Sequence, residues 1–167
     1  QSFDAVLIET TGLADPAPVA QTFFVDQEVR TKYRLDGIIT VVDAKHVVQH
    51  LDEKKPEGVT NESASQLAFA DRILLNKTDL VEEAELPAIE ERIRKVNPTA
   101  QIFRCQHSKV DPKDLIGICA FKLSKTLEMD PEFLNTDGEH EHDTTTTTTT
   151  TMATTTLTTT TTTSTST

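Results

Sequence analysis

Four polar residues, Asn76-Lys77-Thr78-Asp79, follow directly on the short apolar run Ile73-Leu74-Leu75. A carboxylate at Asp79 can accept from both the N1–H and the exocyclic amine of guanine. Adenine presents a ring acceptor at the same place and would leave the charge unpaired. Asn76 can hold the purine edge and brace a neighbouring loop, and the stem of Lys77 can lie along the base plane with its ammonium in water. A plain turn followed by a helix cap uses the same residue types and is the competing reading. A second loop, Gln106-His107-Ser108-Lys109, ends the later apolar run 100–105. In a guanine-binding fold such a loop brings backbone amides to the base oxygen, so Gln106, His107 and Ser108 join the candidate nucleotide-binding set. The duller reading of His107 is an exposed loop histidine.

A different chemistry is offered by Glu9-Thr10-Thr11-Gly12, which closes the apolar run 3–8. In P-loop proteins an acidic residue here orders a Mg²⁺-bound water or the attacking water, and a glycine a few residues on lets the backbone approach a γ-phosphate. Glu9 and Gly12 are therefore catalytic candidates. A carboxylate leaving a strand for solvent, with a glycine turn, is the alternative. Asp15-Pro16 has its own local explanation as a helix cap and first turn. Asp43, His46 and His50 fall at three- and four-residue steps and can form a zinc-binding stripe or simply a solvated helix face. Near the other end, Glu139-His140-Glu141-His142-Asp143 alternates acid and imidazole. His140 and His142 can hold a divalent metal weakly, being too few for a closed zinc site. A solvated linker is the alternative there.

The elements that must position these residues follow from hydrophobic periodicity. Residues 3–8 and 37–43 read as strands of the kind a parallel sheet buries on both faces, and 73–75 and 100–105 add two more. Helices are expected over residues 16–33 as one interrupted helix or two, from Asp43 as cap, over 61–70, and over 82–96 ending at Asn97-Pro98. Asp111-Pro112 opens a last helix through Leu115 and Ile116 toward Cys119, and residues 121–134 form an amphipathic exit. The expected fold is α/β, a parallel sheet flanked by helices, with a disordered C-terminal tail.

Composition bounds what else is possible. The 167 residues carry a net charge of −11, which argues against a nucleic-acid or anionic-membrane partner because phosphate binding needs a basic face. No apolar run approaches membrane-spanning length, so a cytoplasmic protein is expected. Cys105 and Cys119 are the two cysteines and read as reduced, buried thiols. From Thr144 onward the sequence is almost entirely Thr and lacks apolar residues to bury. Three parts are expected: a domain over 1–135, an acidic and His-bearing linker over 136–143, and the Thr-rich tail over 144–167.

With Glu9-Thr10-Thr11-Gly12-Leu13-Ala14-Asp15-Pro16, Thr40-Val41-Val42-Asp43-Ala44-Lys45-His46 and Asn76-Lys77-Thr78-Asp79-Leu80 in order, the chain resembles the CobW family of P-loop GTPases, in particular its eukaryotic zinc-regulated GTPase metalloprotein activators. The resemblance runs from Ser2 to Asp143. It implies a metallochaperone in which GTP binding and hydrolysis, with Mg²⁺, drive delivery of Zn²⁺ as cargo to a client metalloenzyme. It also assigns Glu9 to the magnesium and hydrolysis motif and Asn76, Lys77 and Asp79 to base recognition. Two family motifs are missing from this stretch. None of the glycines at 12, 37, 58, 117 and 138 is followed by Lys, so the phosphate loop ending in Gly-Lys-Ser/Thr does not occur, and neither does the Cys-x-Cys-Cys metal motif. The stretch is thus expected to be an incomplete GTPase domain that does not turn over GTP by itself. A non-enzymatic interaction or metal-binding module that has lost hydrolysis, or a truncated gene model, is the alternative.

Overall fold

The computed structural model describes residues 3–10, 12, 14–56, 61–135 and 153–161, the last stretch by its backbone. Strand β2 (Tyr33–Asp43) is the centre of the sheet. It pairs in parallel with β3 (Arg72–Asn76), which pairs in parallel with β4 (Gln101–Arg104). The spatial order is β1, β5, β2, β3, β4, with β1 spanning Ala5–Glu9 and β5 spanning Ala153–Thr161. β5 runs antiparallel to both its neighbours, so β1 and β2 point the same way.

β2 is apolar on both faces, as a strand covered on both sides must be. On one side Ile38 and Val42 meet the helices, with Val42 in a cluster of Leu67, Ile73, Leu75, Leu86, Ile89 and Ile93. On the other, Ile39 packs with Leu74 and Cys105, and Val41, Phe103, Val110 and Leu115 close over them. The first face is built by α1 (Ala17–Val25), α4 (Glu62–Phe69) and α5 (Leu86–Val96); α2 (Gln27–Lys32) and α3 (Val47–Leu51) are short connectors. α4 opens at Asn61, whose side chain accepts from the Ala64 N–H, and α2 opens at Asp26 in the same way. The region 16–33 thus forms two helices, broken at Asp26.

β2 starts four residues earlier than the apolar run suggests. The pairing with β5 slips between Leu35 and Gly37, leaving Asp36 as a bulge. One extra residue restores the facing of what precedes it, and Leu35 therefore shares the core cluster of Ile38. The bulge is anchored. Asp36 is fully buried, its carboxylate accepting from the N–H groups of Ile118 and Cys119 at 3.0 and 2.7 Å and its carbonyl from those of Ala120 and Phe121.

That anchoring explains a correction. The helix expected beyond Asp111 ends after the single 3-10 turn Pro112–Asp114, capped by the Asp111 carboxylate. Its next peptide donors go to Asp36 instead, with Gly117 and Cys119 at φ of +73° and +49°, values that a right-handed helix does not use. Cys119 is accordingly exposed rather than buried, whereas Cys105 is buried, and its thiol is pushed up by that burial. The chain resumes as α6 (Leu123–Met129), and the exit segment then sets Phe133 into the core, 3% exposed and against the rings of Phe24 and Phe69. The other expected strands, and the helices over 61–70 and 82–96, are present with shifted boundaries. Disorder was expected for the whole tail; residues 153–161 form β5, and the rest of it lies outside the described residues, as does the linker with His140 and His142. Among the described residues no helix is long and apolar enough to cross a membrane.

Asn97, which ends α5, is a buried tie between segments. Its Nδ2 donates to the carbonyls of Leu67, Ala68 and Ala70, and its Oδ1 accepts from the N–H groups of Thr99 and Ala100. Asn97→Ala would strand these groups, which the chain excludes from water. We expect a loss of about 2–4 kcal/mol in denaturant unfolding, the cost of leaving several buried polar groups unpaired; a loss within about 0.5 kcal/mol would show that water replaces the amide.

Candidate functional site

The candidate residues gather at one edge of the sheet, where β2, β3 and β4 deliver their C-terminal ends: Asp43, Asn76 and Arg104. Glu9 ends β1, which points the same way, but it stands level with Ile39 through Thr156, four residues short of Asp43 and in register with Arg72 at the start of β3. Ligands of open α/β sheets bind outside these strand ends.

Asn76 staples two loops together. Its Nδ2 donates to Ser108 Oγ at 3.0 Å, and its Oδ1 accepts from the Ser108 N–H at 2.9 Å. Thr78 adds a second tie, its hydroxyl donating to the Cys105 carbonyl at 3.1 Å. Asn76 therefore braces the loop, and its amide is engaged by Ser108 in doing so. In the loop it holds, His107 and Ser108 take positive φ of 53° and 54°, and among the described residues the N–H groups of Gln106 and His107 meet no acceptor. All three of Gln106, His107 and Ser108 are exposed.

Lys77 is also left-handed, at φ 59° and ψ 35°. This conformation is costly for a residue with a Cβ and persists where its surroundings enforce it. Here the ammonium is tied 2.8 Å from the Asp43 Oδ2, so the head that the sequence suggested for open water is instead half-exposed and paired. The turn swings Asp79 into the 3-10 turn Thr78–Leu80, where it is exposed and has no ion-pair partner among the described residues.

Asp43 is not a helix cap. It is 7% exposed, accepts from the Lys45 N–H at 2.9 Å and from Lys77, and has His46 Nδ1 3.2 Å away; α3 begins only at Val47. Burial disfavours its charge, yet the hydrogen bonds from Lys77, His46 and the Lys45 amide win and hold the carboxyl below the ordinary carboxylate value. The stripe Asp43, His46, His50 does not converge. His50 lies 3.9 Å from Glu53, and the described residues contain no group of three His, Cys, Asp or Glu able to hold a metal ion.

Glu9 is exposed at the end of its strand, and the carbonyl of Gly12 is held from the core. Gln66, 1% exposed on α4, donates through Nε2 to the carbonyls of Gly12 at 3.1 Å and Ala14 at 2.9 Å. Its own carbonyl accepts from the Thr40 hydroxyl of β2. Sequence reasoning passed over Gln66. The signal was there, as the one long polar side chain beside Leu67 on a face otherwise made of Ala and Leu.

The profile of the family described as CobW/HypB/UreG, nucleotide-binding domain, matches residues 1–104. The chain belongs to this family. It is 38% identical over 129 residues to the zinc-regulated GTPase metalloprotein activator 1 of Schizosaccharomyces pombe, covering 77% of this chain and 30% of that protein. With the zinc chaperone YjiA of Escherichia coli it shares 37% identity over 125 residues, covering 75% and 37%. The crystal structure of the Zn(II)-bound YjiA GTPase superposes with a TM-score of 0.56 at 35% identity, covering 66% of this chain and 32% of that one. The chain thus spans about a third of the length of these relatives.

The Asp43 arrangement has a pH signature. Its folded-state pKa lies below the ordinary 3.8, so the fold binds the carboxylate more favourably than the unfolded chain does. That stabilisation is present above 3.8 and is lost as pH falls through the lower folded-state value. Asp43→Asn should therefore destabilise the fold at pH 7 by about 1–2 kcal/mol, with the gap to the parent closing in stronger acid. Urea unfolding of both proteins at several pH values checks this, and a gap independent of pH would place the effect elsewhere.

Proposed function

We propose that this chain forms the guanine-recognising end of a GTP-hydrolysing zinc metallochaperone of the CobW type. The observation that carries this reading is the Asn76–Ser108 staple, which holds two loops beside a left-handed Lys77 and leaves the Asp79 carboxylate unpaired at the strand ends. Such a carboxylate suits two donors on one base edge, and the unused N–H groups of Gln106 and His107 suit the base oxygen. Family membership and the names of the relatives support guanosine triphosphate as the nucleotide.

Glu9 and Gly12 would stand at the phosphate end. Mg²⁺ in nucleotide sites takes one or two carboxylates and fills the rest of its shell with phosphate oxygen and water. Glu9 is the one carboxylate that the described strand ends of β1 supply, and it suits that outer role. Cargo zinc and a client metalloenzyme follow from the relatives' names alone. Within this chain His140 and His142 would bind zinc weakly. Chelator competition should show affinity falling as pH drops through about 6.5, where imidazole gains its proton; a tight site surviving replacement of both histidines would refute this assignment.

Base contacts without a phosphate cradle support about millimolar binding, about −4 kcal/mol, which titration by NMR can follow. Asp79→Asn replaces an acceptor by a donor and so should exchange the preferred base. Guanosine triphosphate should weaken about tenfold or more, xanthosine triphosphate should gain, and adenosine triphosphate should not change. Unaltered guanine binding in this variant would end the reading.

A further inference from the structure

We propose that Asp43 is a positioning residue for base recognition: by holding the Lys77 ammonium it keeps that cation off Asp79 and leaves the Asp79 carboxylate free to select guanine. The inference rests on the base site proposed above and adds to it a residue of β2 that lies outside both of its loops. Both oxygens of Asp43 are engaged. Oδ1 accepts from the Lys45 N–H at 2.9 Å, and Oδ2 has Lys77 Nζ at 2.8 Å and His46 Nδ1 at 3.2 Å. At 7% exposure Asp43 offers little surface to a ligand, so its effect on the site passes through Lys77.

The ladder fixes this hold. Asp43 stands opposite Asn76, the residue before Lys77, and the Ala44 N–H closes that rung on the Asn76 carbonyl at 2.9 Å. The Lys77 side chain is therefore held at both ends, at the backbone by a left-handed turn and at the head by a carboxylate on the neighbouring strand. The consequence lies two positions on. Two trans peptide steps put the Asp79 Cα no more than about 7.6 Å from that of Lys77, a span that the four-carbon stem of lysine covers. Released from Asp43, the ammonium would be the cation nearest in sequence to Asp79, an exposed carboxylate with no ion-pair partner among the described residues. An ion pair there would occupy the acceptor that guanine needs, while adenine, which makes no use of a carboxylate, would lose nothing. Burial disfavours charge on Asp43, but the hydrogen bonds from Lys77, His46 and the Lys45 amide outweigh it and keep the carboxyl ionised at neutral pH. The hold on Lys77 is thus maintained wherever the base site would work.

The test titrates the full chain with guanosine and adenosine triphosphates by NMR and reads the ratio of the two affinities. An exposed ion pair competes only weakly, so Asp43→Asn should lower the preference for guanine about threefold to fivefold. Lys77→Met should weaken both nucleotides while keeping the ratio of the parent. In the double variant D43N/K77M the ratio should return to that of the parent, because no ammonium remains to take Asp79. A merely loosened fold gives a different pattern: D43N weakens both nucleotides alike, and adding Lys77→Met rescues nothing. That pattern overturns the inference, as does an unchanged ratio in D43N. If D43N does not fold, the other two variants still decide: the parent ratio in both supports the inference, and loss of guanine preference in Lys77→Met shows that the ammonium itself reads the base and overturns it. Asp79→Asn, measured alongside, separates the two ideas. Unaltered guanine binding in that variant refutes the base site and this inference with it; an exchanged base preference there, together with the parent ratio in D43N, leaves the base site standing and removes the role of Asp43.

Discussion

Everything in this fold hangs on β2, a strand closed on both faces and both edges. Its eleven residues leave few peptide groups to water, so each must find its partner within the protein. Seven of its side chains are buried: Leu35, Asp36 at the bulge, and Ile38, Ile39, Thr40, Val42 and Asp43 after it. A strand so constrained admits no slip of register, because one residue of slip exchanges its two apolar faces. The bulge at Asp36 is the single permitted irregularity, and it is permitted because four N–H groups from residues 118–121 converge on that one residue. Those bonds in turn decide where the second half of the chain runs.

The candidate site inherits its rigidity from this strand. β2 ends in Asp43, whose neighbour in the ladder is Asn76, and the Ala44 N–H donates to the Asn76 carbonyl. One rung thus fixes two polar residues of the site with respect to each other. Lys77 pays for its left-handed backbone with the ion pair to Asp43, and Asn76 carries the order across to Ser108. Most of this lies in the backbone, with side chains serving as ties. Asp79 projects from this frame as an exposed carboxylate with no ion-pair partner among the described residues, and the proposed base recognition turns on it.

The sheet strands and the motif at 76–79 were legible because their signals are local: β-branched and apolar runs ending in polar turns. The family resemblance, too, was carried by short contiguous motifs. What could not be read were long-range bonds of single polar residues. Asp43 looked like a helix cap because an acid before a helix usually is one, yet an ammonium 34 positions later claims it. The helix after Asp111 failed for the same reason, with Asp36 taking its donors from 82 and 83 residues away. Threonine repetition predicts the absence of a core and says nothing of whether a strand gap elsewhere can seat it.

Three buried polar side chains, Asp36, Gln66 and Asn97, do a job that apolar side chains cannot: each holds two segments by groups that have no equivalent partner nearby. Gln66 has the most direct bearing on function. Thr40 of β2 grips the Gln66 backbone, and the Gln66 amide grips Gly12 and Ala14, so the loop beyond Glu9 is connected to the spine of the sheet through one residue. Gln66 Oε1 is itself buried without a partner among the described residues. A loop held by two donated hydrogen bonds, with one acceptor still unused, is fixed less firmly than the Asn76 loop, whose tie is satisfied at both ends. The two sides of the site therefore differ in kind. The Asn76 loop is held by reciprocal bonds, and the loop at Gly12 by donated bonds alone from an amide whose own oxygen is left without a partner among the described residues.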